Sequence, residues 1–361
     1  MFKKKVLKYL SKTILIGTLA LGFISCGDNN KSNENEKPKL SNKNVVHIYS
    51  WAEYIPPEVF DNFEKETGIK VVEDIYSTNE EMFTKLKSGA TGYDIVLPSP
   101  DYVEIMMKEN MLEKIDKNKI STFKNLDDNM MKKLRAFDKN NEYAIPYAIS
   151  ATVIAVNTKY VKDFPRSYDI YEMESLRGRM TLLDDLKENI IAALAYEGYP
   201  QNTSDKEAFK KAEKRLLRWR KNLAKFDSDS FGKNFASEDF LVVQGYAENI
   251  YFELTDEQIE HTEFFIPENA GSFSIDSFVL LKTAPDKENA YKFIEYIHRP
   301  EVYKLVADYL MLPCINVPAR KLAEEEPIFK IEALKNAALL RDTSKTLDMQ
   351  NEVWENIRMR N

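Results

Sequence analysis

The sequence predicts an α/β protein with a largely parallel sheet, divided into two domains, and three observations predict it. From Val45 onward, apolar runs of strand length alternate with amphipathic helical patterns, the signature of βαβ units. Residues that start and stop helices stand between these runs, as at Pro56-Pro57, Gly68 and Thr78. A chain of 361 residues with 43% hydrophobic content can also bury more core than one domain usually holds.

Two segments precede the first strand. Lys3, Lys4, Lys5 and Lys8 form a basic start, Thr13 to Ile24 is a short apolar run, and Phe23-Ile24-Ser25 leads into Cys26. This predicts a signal peptide over 1–25, too short for a lasting membrane span. Its end resembles the lipobox of bacterial lipoproteins, in which the cysteine is lipidated and becomes the mature N-terminus. An ordinary signal peptide followed by a free cysteine is the other reading. Residues 26–44 are rich in Asp, Asn, Lys, Ser and Glu, cannot build a core, and read as a flexible tether. Acyl chains on Cys26 would hold the protein at the periplasmic or extracytoplasmic face of a bacterial membrane, each buried methylene contributing about 0.8 kcal/mol.

Residues 1–25 carry five lysines and no acid, so their removal takes the formal net charge from −7 to −12. An acidic body argues against nucleic acid as a partner and is compatible with a cationic ligand. With Cys26 lipidated, Cys314 is left without a disulfide partner and reads as a small packed side chain.

The apolar run Val45 to Tyr49 is the predicted first strand, and Trp51, Glu53 and Tyr54 follow it directly. Pockets in open α/β sheets form beyond the carboxyl ends of strands, and two aromatics flanking a carboxylate suit an ammonium group. The same pattern fits a strand end with a packed Trp and a solvated Glu. A helix begins at Pro56-Pro57, places Val59, Phe60 and Phe63 on one face, and ends at Gly68. Ile69 to Val72 is the second strand, Thr78 and Glu81 have capping-box spacing for a helix through Leu86, and Ile95 to Leu97 is the third strand, with a helix from about Asp101.

These segments also carry a resemblance. Trp51 to Pro57, Phe63 to Val71, Ser77 to Glu80 and Tyr93 to Ser99, followed by Leu126-Asp127, Ile145 to Tyr147, Asp184-Asp185, Asp276-Ser277, Arg299 to Val302 and Asn316, form an ordered series. Together they resemble the spermidine/putrescine-binding proteins of bacterial polyamine ABC transporters along nearly the whole mature chain. The resemblance implies the two-lobed periplasmic binding protein type II architecture, with a ligand cleft at a two-strand hinge. The crossings fall near Ala151-Thr152 and Ile275-Asp276, giving 45–152 plus 275–320 as one lobe and 153–274 plus 321–361 as the other. The β-branched and apolar runs Thr152 to Val156 and Phe278 to Leu281 suit crossing strands, and hinge closure is the motion expected.

The resemblance further implies the ligand contacts. Trp51, Glu53 and Tyr54 come from the first lobe, together with Ser99 and Asp101 at the start of a helix. Asp185 and Glu188 match the family's paired carboxylates for ammonium groups, although acids at a helix N-terminus also favour the helix dipole without any ligand. Tyr246 takes the place of an aromatic platform beneath the amine chain, with Glu248 or Asn249 beside it, and Asp276 is a further carboxylate. Several positions depart from the family pattern: Ser274 and Leu312 replace aromatics, Ala52 and Leu340 replace polar residues, and Asp101 replaces an aromatic. The site thus loses stacking surface and gains a carboxylate.

The implied function is capture of a polyamine for delivery to an ABC permease, without catalysis and without a cofactor or bound metal. A same-fold receptor for another cationic amine or a metal ion is the alternative, and a lipoprotein hydrolase is a further one. His47, His261 and His298 have neither zinc-ligand spacing nor triad context, and no phosphate loop is present. Lys206 to Lys225 reads as one helix with Trp219 on its packed face, and the C-terminal helix, with Trp354, is expected to pack on the second lobe.

Overall fold

A computed structural model describes residues 44–268 and 270–359. The predicted signal peptide, Cys26 and all of the tether before Asn44 lie outside the described residues.

Strand β1 (Val45–Trp51) is followed by α1 (Pro57–Thr67), β2 (Lys70–Tyr76), α2 (Asn79–Lys87), β3 (Ile95–Val96) and α3 (Pro100–Lys108). The local signals act as read. Gly68 takes the left-handed conformation with φ 69°, and its N–H donates to Glu64 O to close α1. The Thr78 hydroxyl accepts from the Glu81 N–H, while the Glu81 carboxylate reaches one residue further back, to the Ser77 N–H at 2.9 Å. After α4 (Asp128–Leu134) the chain enters the long strand β4 (Ile145–Asn157).

The second half continues with β5 (Met180–Leu182), α5 (Leu186–Tyr196), α6 (Lys206–Arg220), β6 (Leu223–Phe226), α7 (Phe231–Ala236), β7 (Val242–Tyr246), α8 (Ala247–Tyr251), α9 (Asp256–Glu260) and β8 (Thr262–Phe265). Strand β9 (Ser272–Leu280) returns beside β4, and α10 (Lys287–Ile297), α11 (Pro300–Leu310), β10 (Ala338–Leu339) and α12 (Leu347–Met359) complete the fold. The predicted helix Lys206 to Lys225 is therefore too long. It ends at Arg220, and Leu223–Phe226 pairs in parallel with β5 instead, because a sheet edge close by satisfies the backbone that a further helical turn would have used.

The strands form one ten-stranded sheet in the order β2-β1-β3-β9-β4-β7-β5-β6, with β10 against β9 and β8 against β4. It is mixed rather than largely parallel. Parallel pairs make up the outer parts, β1 with β2 and β3, and β5 with β6 and β7. The centre is antiparallel: β4 pairs with β9 through Ile145–Ala151, then with β7 and β8 through Thr152–Asn157. One strand thus changes partner between Ala151 and Thr152.

Buried side chains follow this division. Tyr49, Tyr76, Met82, Tyr93 and Val103 pack together on the β1–β3 side, and Trp219, Tyr168, Tyr171, Leu182 and Ile190 pack on the β5–β7 side. The largest group runs through β4 and β9 to Phe63 of α1 and to Phe293, Ile294 and Ile297 of α10. Trp219 is fully buried and stacks on Tyr168 at 4.8 Å, so it is a packing residue as expected. Trp354 of α12 lies 5.0 Å from Phe226 and packs against the same group. Cys314 is a half-buried free thiol that burial pushes up to about 11.

Candidate functional site

Helices α3 and α5 begin directly beyond the carboxyl ends of β3 and β5, on opposite sides of the central β9–β4 pair. Their first turns, the end of β1, the end of β7 and the middle of β9 carry most of the predicted site residues.

On the first side, β1 ends in Trp51, whose indole N–H donates to Leu97 O at 3.0 Å and whose ring lies 4.5 Å from Tyr76. Tyr54 donates its hydroxyl to Asp276 Oδ2 at 2.8 Å, and its own carbonyl accepts from the buried Tyr147 hydroxyl at 2.7 Å. Glu53 stands apart from them. It is exposed and has φ 54°, an uncommon conformation for a residue with a side chain. Ser99 precedes α3, accepts from Asn79 Nδ2 at 2.8 Å, and donates to Asp101.

On the second side, Asp185 caps α5 by accepting the Glu188 N–H at 2.8 Å. The dipole explanation for these acids is thus half correct, since Asp185 serves the helix while Glu188 turns inward. Glu188 Oε2 accepts from Thr152 Oγ1 at 2.8 Å and from Ser272 Oγ at 3.2 Å, the hydroxyls coming from β4 and β9. Tyr246 ends β7 and is 36% exposed. The residue before it, Gly245, lies so close to Phe231 that a Cβ there would meet the ring at 2.3 Å, so only glycine allows β7 to pack this closely against α7 beside Tyr246.

Electrostatics tie these groups together. Burial pushes the Glu188 carboxyl above its usual range, and the neighbouring Asp185 charge adds to this; burial likewise raises Asp185. Asp276, 7% exposed, is pushed up to about 6 by burial, against the hydrogen bonds from Ser274 and Tyr54, with the Asp101 charge adding to the rise. Glu248 is pushed up to about 7 by burial and then by Asp276, and its Oε2 is buried without a hydrogen-bond partner. The Tyr246 hydroxyl is raised by burial and by Glu188, Asp185, Glu248 and Asp276 in turn. Ionised carboxylates in such surroundings are costly unless a cation joins them. The arrangement is therefore suited to binding positive charge.

Lys187, Thr152 and Ser272 were not among the predicted site residues, and of the pair Glu248 or Asn249 it is Glu248 whose carboxyl is buried here. Lys187 did carry a signal, since a lysine in the first turn of a helix opposes the dipole. It forms an ion pair with Asp101 across the cleft. The two hydroxyls carried none, because what aligns them with Glu188 is the pairing of strands more than a hundred residues apart in sequence. Among the described residues no group of three or more His, Cys, Asp or Glu side chains is placed to hold a metal ion.

Residues 58–336 match the family model described as bacterial extracellular solute-binding protein. The chain belongs to this family. It is similar to the spermidine/putrescine-binding periplasmic protein of Escherichia coli K12, 34% identical over 360 residues that cover 97% of this chain and 99% of the relative. It is also similar to the putrescine-binding periplasmic protein SpuD of Pseudomonas aeruginosa, 32% identical over 89% of this chain and 88% of that one. Among solved structures, the TpPotD lipoprotein of Treponema pallidum is 36% identical, covers 88% of this chain and 100% of its own, and superimposes with a TM-score of 0.84. The architecture is accordingly the two-lobed type II fold of periplasmic binding proteins.

Proposed function

We propose that this solute-binding protein captures a polyamine of the putrescine/spermidine class in the cleft and hands it to the permease of an ABC transporter, performing no chemistry on it. The observation that carries the reading is the convergence of Asp185, Glu188, Glu248 and Asp276, all raised by burial, beside the aromatic rings of Tyr54 and Tyr246. Ammonium groups neutralise the carboxylates while the rings cover the methylene chain. The ligands named for the relatives from Escherichia coli and Pseudomonas aeruginosa agree with this chemistry.

Closure brings 45–152 plus 275–320 against 153–274 plus 321–361, and the amine stabilises the closed form because its charges offset the repulsion among the carboxylates. Lipidation at Cys26 keeps the protein at the outer face of the membrane, next to the permease. Another linear cationic amine is the second reading. Ser274, which donates a hydroxyl to Asp276 where the family has an aromatic, favours a ligand held by charge more than by stacking.

Titration calorimetry against putrescine, cadaverine, spermidine and spermine, with arginine and ferric citrate as controls, tests this. Micromolar or tighter, stoichiometric binding of a polyamine without turnover is expected. Failure to bind any of the amines would overturn the reading.

A further inference from the structure

The Lys187 ammonium has the surroundings of a ligand amine. It is paired with Asp101, whose side chain is 3% exposed, and it lies 5.8 Å from the centre of the Tyr102 ring. Tyr102 in turn donates its hydroxyl to Glu80 Oε1 at 2.8 Å. Burial works against the charged lysine, but Asp101, Glu80 and Asp185 overcome it and raise its pKa. A buried carboxylate, further acids and an aromatic face are what an ammonium group requires. Here the chain's own lysine supplies the ammonium, from the far side of the cleft.

The other carboxylates have no ion pair of their own, although the Lys187 charge in the same helical turn partly offsets the rise of Asp185 and Glu188. Among the described residues, no ion pair joins Glu188, Glu248 or Asp276 to a lysine, arginine or histidine. They form two sets, Glu188 with Asp185 on the β5 side, and Asp276 with Glu248 beside β9 and β7. Each set can neutralise one ammonium.

We propose that Lys187 is a specificity-determining residue: by filling the ammonium site formed by Asp101, Tyr102 and Glu80, it leaves the cleft with places for two ligand ammonium groups and selects a diamine over a triamine. This rests on the polyamine reading above. Because Lys187 reaches Asp101 from the opposite lobe, the pair also fixes the closed geometry in which those two places are presented.

The test is calorimetric affinity for putrescine, a diamine, and spermidine, a triamine, in the full-length protein and in Lys187→Met, Lys187→Arg and the Lys187→Met/Asp101→Asn double variant. The wild type is expected to prefer putrescine. Lys187→Met exposes Asp101 to a third ammonium and should shift the spermidine-to-putrescine affinity ratio toward spermidine by about tenfold or more, the value of one charged hydrogen-bonded contact. Lys187→Arg should keep the wild-type ratio. The double variant, which removes both charges and so leaves no unpaired buried carboxylate, should gain no preference for spermidine. An unchanged ratio in Lys187→Met, in a wild type that binds amines, would overturn the role of Lys187 and leave the polyamine reading standing. A wild type that binds neither amine would overturn both.

Discussion

Asp101 and Asp276 are nearly equally buried, at 2% and 7% exposure, and lie within electrostatic reach of each other, yet their surroundings differ in kind. Asp101 has a lysine from the opposite side of the cleft and a serine hydroxyl. Asp276 has only hydroxyls, from Ser274 and Tyr54, and its carboxyl is pushed up to about 6. Hydroxyl donors orient a buried carboxylate and lower its cost, but they do not cancel its charge. A group left in that condition keeps a charge that the protein itself does not neutralise and that the proposed amine would. The paired one braces the cleft.

The largest effect expected from breaking this contrast is at Asp276. Asp276→Asn keeps the shape and removes the charge, and should weaken polyamine binding more than tenfold, since a charged hydrogen-bond partner contributes about 1.5–3 kcal/mol. Calorimetry on the variant reads it directly. Affinity equal to that of the wild type would remove Asp276 from the site.

Of the same order is the effect of pH. Burial pushes Glu248 up to about 7 and Asp276 up to about 6, whereas both ionise near 4 in an unfolded chain. The folded protein therefore binds more protons than the unfolded chain between about pH 4 and 7, and these groups reduce stability as pH rises through that window. An amine favours the ionised forms, so binding should release protons, and affinity should fall by up to about a hundredfold between pH 7.5 and 5.5. Calorimetry in buffers of different ionisation enthalpy measures the protons released. Tyr54→Phe sharpens the contrast, because it deprives Asp276 of one donor and should move the acid limb of the profile to higher pH; an unmoved limb would show that the 2.8 Å bond does not help to hold the charge.

The smallest effect is expected at Glu53. Its side chain is exposed on a turn, where solvent screens a charge to roughly 0–1 kcal/mol. Glu53→Gln should change polyamine affinity less than about fivefold. A loss as large as that of Asp276→Asn would mean that closure on ligand carries Glu53 into the cleft.

The alternation of strands and helices, the closing of α1 at Gly68, the capping of α2 by Thr78 and the acidic, amine-compatible character of the body were legible in the sequence. Periodicity, caps and charge are properties of neighbouring residues, and the side chains that create them lie within a turn or two of one another. For Asp185 and Glu188 the local pattern pointed only to a helix start, and it was the resemblance that implied a ligand-binding role for them. What only the tertiary structure decided is which acids lose water and which gain a partner. Asp101 meets Lys187 at a separation of 86 residues and Asp276 meets Tyr54 at 222, distances over which no local pattern carries information. The strand Leu223–Phe226 and the antiparallel centre of the sheet were likewise decided by the partners available in space, because a backbone satisfied by a neighbouring strand no longer follows its own helical propensity.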